Sequence, residues 1–189
     1  MKLRNKGLFF LCLALLMLIL TGCLLPEKFD CKVSIKADGT INVVYKGTIV
    51  NGEIYTGIEE SVVKNNISQI VQGNSRITEY KYLGNGKASW VYSTTIPANM
   101  DSSFFDDGFI FFTIHRNGKK IKITEPATDS ETINQLKSFG YKIDGTIKFE
   151  SEIELSCPDI IFKKSGNKYF GEQKITTLST KEIVITTVN

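Results

Sequence analysis

The side chains able to do acid, base or metal chemistry are few in this 189-residue chain. His115 is the single histidine, so histidine-rich metal sites and histidine dyads are excluded and only a lone base remains, at the end of an apolar run beside a turn. Glu150, Glu152 and Glu154 alternate along one segment. On a strand they would share a face at spacings of about 7 Å. Carboxylates so spaced can gather calcium with help from loops; they also suit the solvent face of a sheet, balanced by Lys119, Lys120, Lys122, Lys163 and Lys164. Asp106-Asp107-Gly108 lacks the alternating oxygens of a calcium loop and reads as a turn. No Gly-rich phosphate loop follows a strand, and neither a Gly-x-Ser-x-Gly elbow nor a Cys-x-x-Cys pair occurs. The expectation is a protein that is not an enzyme and uses no cofactor and no metal.

Thiol chemistry is more informative. Lys2, Arg4 and Lys6 precede an unbroken apolar run from Leu8 to Leu20. Its 13 residues fall short of the roughly 20 that a helix needs to cross the hydrocarbon core, which marks an export signal rather than a permanent span. The run ends in Leu20-Thr21-Gly22-Cys23, which resembles the lipobox of bacterial lipoproteins. That resemblance implies removal of residues 1–22, a thioether-linked diacylglycerol on Cys23, frequent acylation of the new amino group, and a membrane anchor. Two or three such chains hold firmly, since each buried methylene contributes roughly 0.8 kcal/mol. Leu24, where an Asp would retain the protein at the inner membrane, implies sorting to the outer membrane, facing the periplasm. An anchor on the outer face of a Gram-positive cell membrane is the alternative.

The net charge of +3 is carried by Lys2, Arg4 and Lys6. The remainder is balanced, which removes the electrostatic case for nucleic acid as a partner. Of the four cysteines, Cys12 leaves with the signal and Cys23 takes lipid. Cys31 and Cys157 remain, either as a disulfide in an oxidising compartment or as two buried free thiols.

The elements follow from periodicity. Leu24 to Asp30 reads as a short tether. Alternation at Val33 and Ile35, then at Ile41, Val43 and Tyr45, flanks the Asp38-Gly39 turn of a hairpin. Thr56 and Glu59 form a capping box for a helix whose stripe is Ile58, Val62, Val63, Ile67, Ile70 and Val71. Strands Arg76 to Leu83 and Lys87 to Ile96 meet at Gly84-Asn85-Gly86, 97–108 is irregular, and Phe109 to His115 pairs with Lys119 to Thr124 about Asn117-Gly118. A second helix is capped by Thr128 and Glu131, buries Ile133 and Leu136, and stops at Gly140. Strands are expected over Asp144 to Leu155, Ile160 to Lys163, Tyr169 to Ile175 and Glu182 to Val188. The repeated string Lys-x-Asp-Gly-Thr-Ile at 36–41 and 142–147 reflects either a duplication or one turn chemistry used twice.

Phe104, Phe105, Phe109, Phe111 and Phe112 form a candidate ligand or partner surface: consecutive apolar residues point to both faces of a strand, one of which meets a covering helix, a hydrophobic cavity or another molecule. The region from Cys31 to Ile49, with its charged strand, Asp-Gly-Thr turn and long second strand, is similar to lipoproteins of the LppM type. That likeness implies an α+β domain associated with lipid or glycolipid. The sequence thus predicts a signal over 1–22, an anchor and tether over 23–30, and one α+β domain over 31–189. The domain is a mainly antiparallel, twisted sheet with two helices on one face. Its expected role is binding at the cell envelope, of a lipid or other hydrophobic ligand, or docking on another envelope protein.

Overall fold

The computed structural model describes residues 24–51, 59–70, 75–100, 102–104, 112–117, 120–125 and 127–188. In chain order they form β1 (Leu24–Ile35), β2 (Ile41–Asn51), α1 (Glu60–Ile70), β3 (Arg76–Gly84), β4 (Lys87–Ile96), β5 (Ser102–Phe104), β6 (Phe112–Asn117) and β7 (Lys120–Glu125). There follow α2 (Ser130–Ser138), β8 (Asp144–Ser151), β9 (Leu155–Ser156), β10 (Lys163–Ser165), β11 (Lys168–Ile175) and β12 (Ile183–Thr187).

The expected α+β class holds, but the strands form two sheets rather than one. A seven-stranded sheet runs β10-β11-β8-β1-β2-β4-β3 and a five-stranded sheet runs β5-β6-β7-β12-β9. All pairings are antiparallel except β1 with β8. Period-two alternation puts Phe29, Cys31, Val33 and Ile35 of β1, with Ile41, Val43, Tyr45 and Ile49 of β2, into a core that also receives Ile114, Ile123, Leu155 and Ile185 from the second sheet. Gln173 Nε2 donates to Glu125 Oε2 at 3.0 Å, tying β11 of one sheet to β7 of the other. Across β1, β2 and β4 runs a row of rings, Phe29 stacked on Tyr45 at 5.5 Å, Tyr45 edge-on to Trp90 at 5.9 Å, and Trp90 beside Tyr92 at 5.6 Å. Each such pair adds roughly 0.5–1.5 kcal/mol beyond area burial.

Several boundaries differ from expectation. β1 starts at Leu24, paired with Asn51, so residues 24–30 are strand and not a loose tether. Pro26 is accommodated because the β1–β2 register shifts between Pro26 and Lys28, where an imino nitrogen breaks no ladder bond. The strand expected over Asp144 to Leu155 ends at Ser151, whose buried Oγ accepts the Ile153 N–H at 3.0 Å. The chain then crosses sheets, and Leu155 pairs with Thr187. Similarly, Ser102–Phe104, expected to be irregular, is a strand paired with β6.

In α1, Val63 and Ile67 are buried in the core while Val62, expected on the same stripe, is 38% exposed. Thr56, Ile58 and Val71 lie outside the described residues. In α2 the N-cap is Asp129 rather than Thr128: its Oδ1 accepts the Thr132 N–H at 2.8 Å, and Ile133 is the buried side chain. The repeated string has two fates. Asp38-Gly39 is a turn, with Gly39 at φ +86° and Thr40 N–H bonded to Asp38 Oδ1 at 2.8 Å. Asp144-Gly145 opens β8 instead, so a shared turn chemistry does not account for the second copy.

Candidate functional site

The residues singled out from the sequence do not converge. Cys23, Phe105, Phe109 and Phe111 lie outside the described residues, while Phe104 and Phe112 stand opposite each other in the β5–β6 register. Cys31 and Cys157 are free cysteines, the first buried in β1 and the second partly exposed after β9. His115 is exposed on β6. The three glutamates part company. Glu150 binds Lys168, and Lys32 at 2.5 Å, and these two ammonium groups hold its carboxyl down at about 2. Glu152 Oε2 accepts the Ala37 N–H at 2.9 Å, and Glu154 Oε2 accepts the Tyr169 hydroxyl at 3.4 Å. Among the described residues no three of His, Cys, Asp and Glu form a metal-holding group.

A concavity with ligand-like chemistry lies instead at the end of the large sheet where β1 begins. It starts with how α2 stops. The Tyr141 N–H reaches the Leu136 carbonyl at 3.0 Å and the Gly140 N–H reaches the Lys137 carbonyl at 2.9 Å, around Gly140 at φ +76°. This double closure brings the residues on either side of the glycine together, so Leu136 and Tyr141 face a common space. The Tyr141 hydroxyl then donates to the Pro26 carbonyl, fastening the helix end to β1. Burial, and secondarily the charge of Glu27, push the Tyr141 phenol well above its ordinary range, so it stays a donor.

The resulting cavity, about 560 Å³, has an apolar side of Ile133, Leu136, Tyr141, Ile143 and Leu178 and a charged side of Glu27, Lys28, Lys137, Lys142 and Asp144. That volume, with one apolar side and one charged side, matches sites for small amphipathic ligands. Beside it, Glu27 pairs with Lys87 at 2.5 Å across β1, β2 and β4. A larger trough of about 700 Å³ on the same sheet is lined by Lys28, Asp30, Lys46, Glu79, Lys81 and Asp144 together with Phe29, Tyr80 and Trp90.

No protein-family model and no curated protein sequence matches the chain. Three solved structures are similar in outline. They are an M1 zinc metallopeptidase from Deinococcus radiodurans (TM-score 0.43, 6% identity, 88% of this chain and 42% of that one), the folded domain of LppM from Mycobacterium tuberculosis (TM-score 0.37, 8% identity, 87% and 91%), and leukotriene A4 hydrolase from Saccharomyces cerevisiae (TM-score 0.35, 11% identity, 87% and 29%). The chain spans less than half of either enzyme. At these scores no residue role passes from any of them to this chain.

Leu136 was legible as an inward residue of the second helix, but Tyr141 and Leu178 carry no motif. The available signal was the Leu136 to Tyr141 spacing across Gly140, which is the apolar pairing that accompanies a glycine helix stop.

Proposed function

We propose that this chain is an envelope lipoprotein, anchored through a lipid on Cys23, that acts as a non-catalytic binding module for a hydrophobic or amphipathic ligand. The supporting observation is the cavity between α2 and the first residues of β1 and β8, apolar along Ile133, Leu136, Ile143 and Leu178 and charged along its other side. It adjoins Glu27 and Lys28, four and five residues after Cys23, so a ligand leaving the bilayer meets it first. Leu24 after the anchor favours the outer membrane facing the periplasm. A second reading, docking on another envelope protein, draws on the opposite end of the molecule. There Ala37, Gly39, Ala98, Arg116, Ile121 and Val188 line a groove of about 930 Å³, and Met100, whose carbonyl accepts from Arg116 Nε at 2.8 Å, is 53% exposed beside it.

Native mass spectrometry with lipid extraction on residues 24–189, exported behind a signal that needs no lipidation, separates the two. The ligand reading expects co-purifying lipid that is lost in Leu136→Glu while the fold persists. A clean apo mass, under conditions that keep a control lipid complex intact, contradicts it and turns attention to the far groove.

A further inference from the structure

We infer that the end of the domain where β1 begins is a bilayer-docking face, with Phe139 and Leu83 entering the interface of an anionic phospholipid membrane. The inference rests on the Cys23 anchor proposed above and adds the surface that touches lipid. β1 is paired from Leu24 onward, so a lipid on Cys23 leaves a single peptide step, about 3.8 Å of chain, between the anchor and the folded sheet. The strand register says which corners share that end. The Gly84–Lys87 pair closes the β3–β4 turn beside Val50 and Leu25, and Asp144, just after the α2 stop, pairs with Lys28.

Each corner carries a large exposed apolar side chain next to a glycine at positive φ. Phe139, 51% exposed, precedes Gly140, and Leu83, 48% exposed, precedes Gly84. A β-carbon on either glycine would meet nothing within 4 Å, so both glycines face open space. Exposed Lys137 and Lys142 flank Phe139 in sequence and line the adjoining cavity with Lys28; of the acids on that wall, Glu27 is already paired with Lys87 and Asp144 remains. An aromatic ring between lysines at a protruding turn suits the headgroup layer of an anionic leaflet, where the ring partitions inward and the ammonium groups stay at the phosphates. Exposed apolar residues also occur at the other end, Ile161 at 82% among them, but the anchor holds that end away from the bilayer.

The test uses the full lipidated chain in vesicles of phosphatidylcholine and phosphatidylglycerol carrying brominated acyl chains. Trp90 is the chain's own tryptophan and is buried, so added tryptophans report over a constant background. Phe139→Trp and Leu83→Trp are each expected to be quenched about twofold more than the unsubstituted chain, and Ile161→Trp no more than it. Lys137→Glu with Lys142→Glu should reduce the Phe139→Trp quenching, as should omission of phosphatidylglycerol. Quenching of Ile161→Trp equal to that of Phe139→Trp overturns the inference. So does a blue-shifted Phe139→Trp that bromine does not quench, which would mean a protein or a second copy covers it. A chain that fails to float with vesicles removes the anchor and the docking face together, whereas a floating Phe139→Trp chain with no added quenching removes the docking face alone.

Discussion

The hydroxyl of Tyr141 donates to the carbonyl of Pro26, joining the residue after the Gly140 stop of α2 to the first residues of β1 across 115 positions of sequence. Pro26 is itself buried, so its carbonyl would lose its only side-chain donor among the described bonds in Tyr141→Phe. Losing one intramolecular hydrogen bond costs about 0.5–1.5 kcal/mol. Denaturant unfolding should show a loss in that range, and hydrogen exchange should show the amides of 137–143 opening more readily than in the parent.

The first residues of β1 also explain why that strand was illegible. Leu-Leu-Pro-Glu-Lys-Phe-Asp mixes a proline and three charges into a run with no clean alternation, and reads as linker. It is strand because a register shift absorbs the proline and because Phe29 has a seat on the neighbouring strands. Hairpins whose alternation was intact, β1–β2 after Cys31 and β3–β4 about Gly84-Asn85-Gly86, were legible from sequence. The split into two sheets was not, because the crossing at 152–154 is set by a side-chain turn at Ser151 that no periodicity announces.

Gly145 is required by Phe29. A β-carbon at Gly145 would come within 2.1 Å of Phe29 Cε1 and 2.2 Å of Cζ, and both strands are fixed by pairing. Gly145→Ala is expected to destabilise by about 1–3 kcal/mol, the usual cost of overpacking. Adding Phe29→Leu should recover part of that loss in thermal or denaturant melts. Equal effects of Gly145→Ala in both backgrounds would show that the ring is not the obstacle.

Glu125 gives a pH signature. Burial raises its carboxyl above the ordinary 4.5, partly offset by the Gln173 amide. A carboxyl whose folded pKa is raised binds its proton more tightly when folded, so its contribution favours folding below 4.5 and is lost as pH rises through the folded value. Glu125→Gln should therefore be more stable than the parent at neutral pH, with the advantage shrinking as pH approaches 4.5. A difference that stays constant with pH would place the ionised carboxylate in a solvated setting.

The two free thiols should react very differently. Burial pushes Cys31 up to about 12 and shields it, whereas Cys157 is partly exposed. An aromatic disulfide reagent should label Cys157 in the native protein within minutes and Cys31 only after unfolding. A reductant should leave stability unchanged. Stability lost on reduction, with no native labelling at Cys157, would mean the two are joined in solution.

Everything proposed about place and role depends on Cys23. The direct measurement is the mass of the N-terminal peptide of the protein isolated from the membranes of cells that make it. The expected result is a peptide that begins at Cys23 and carries a diacylglyceryl group, on a chain recovered from the membrane fraction. An unmodified N-terminus at any other position, on a chain recovered from the soluble fraction, would contradict it.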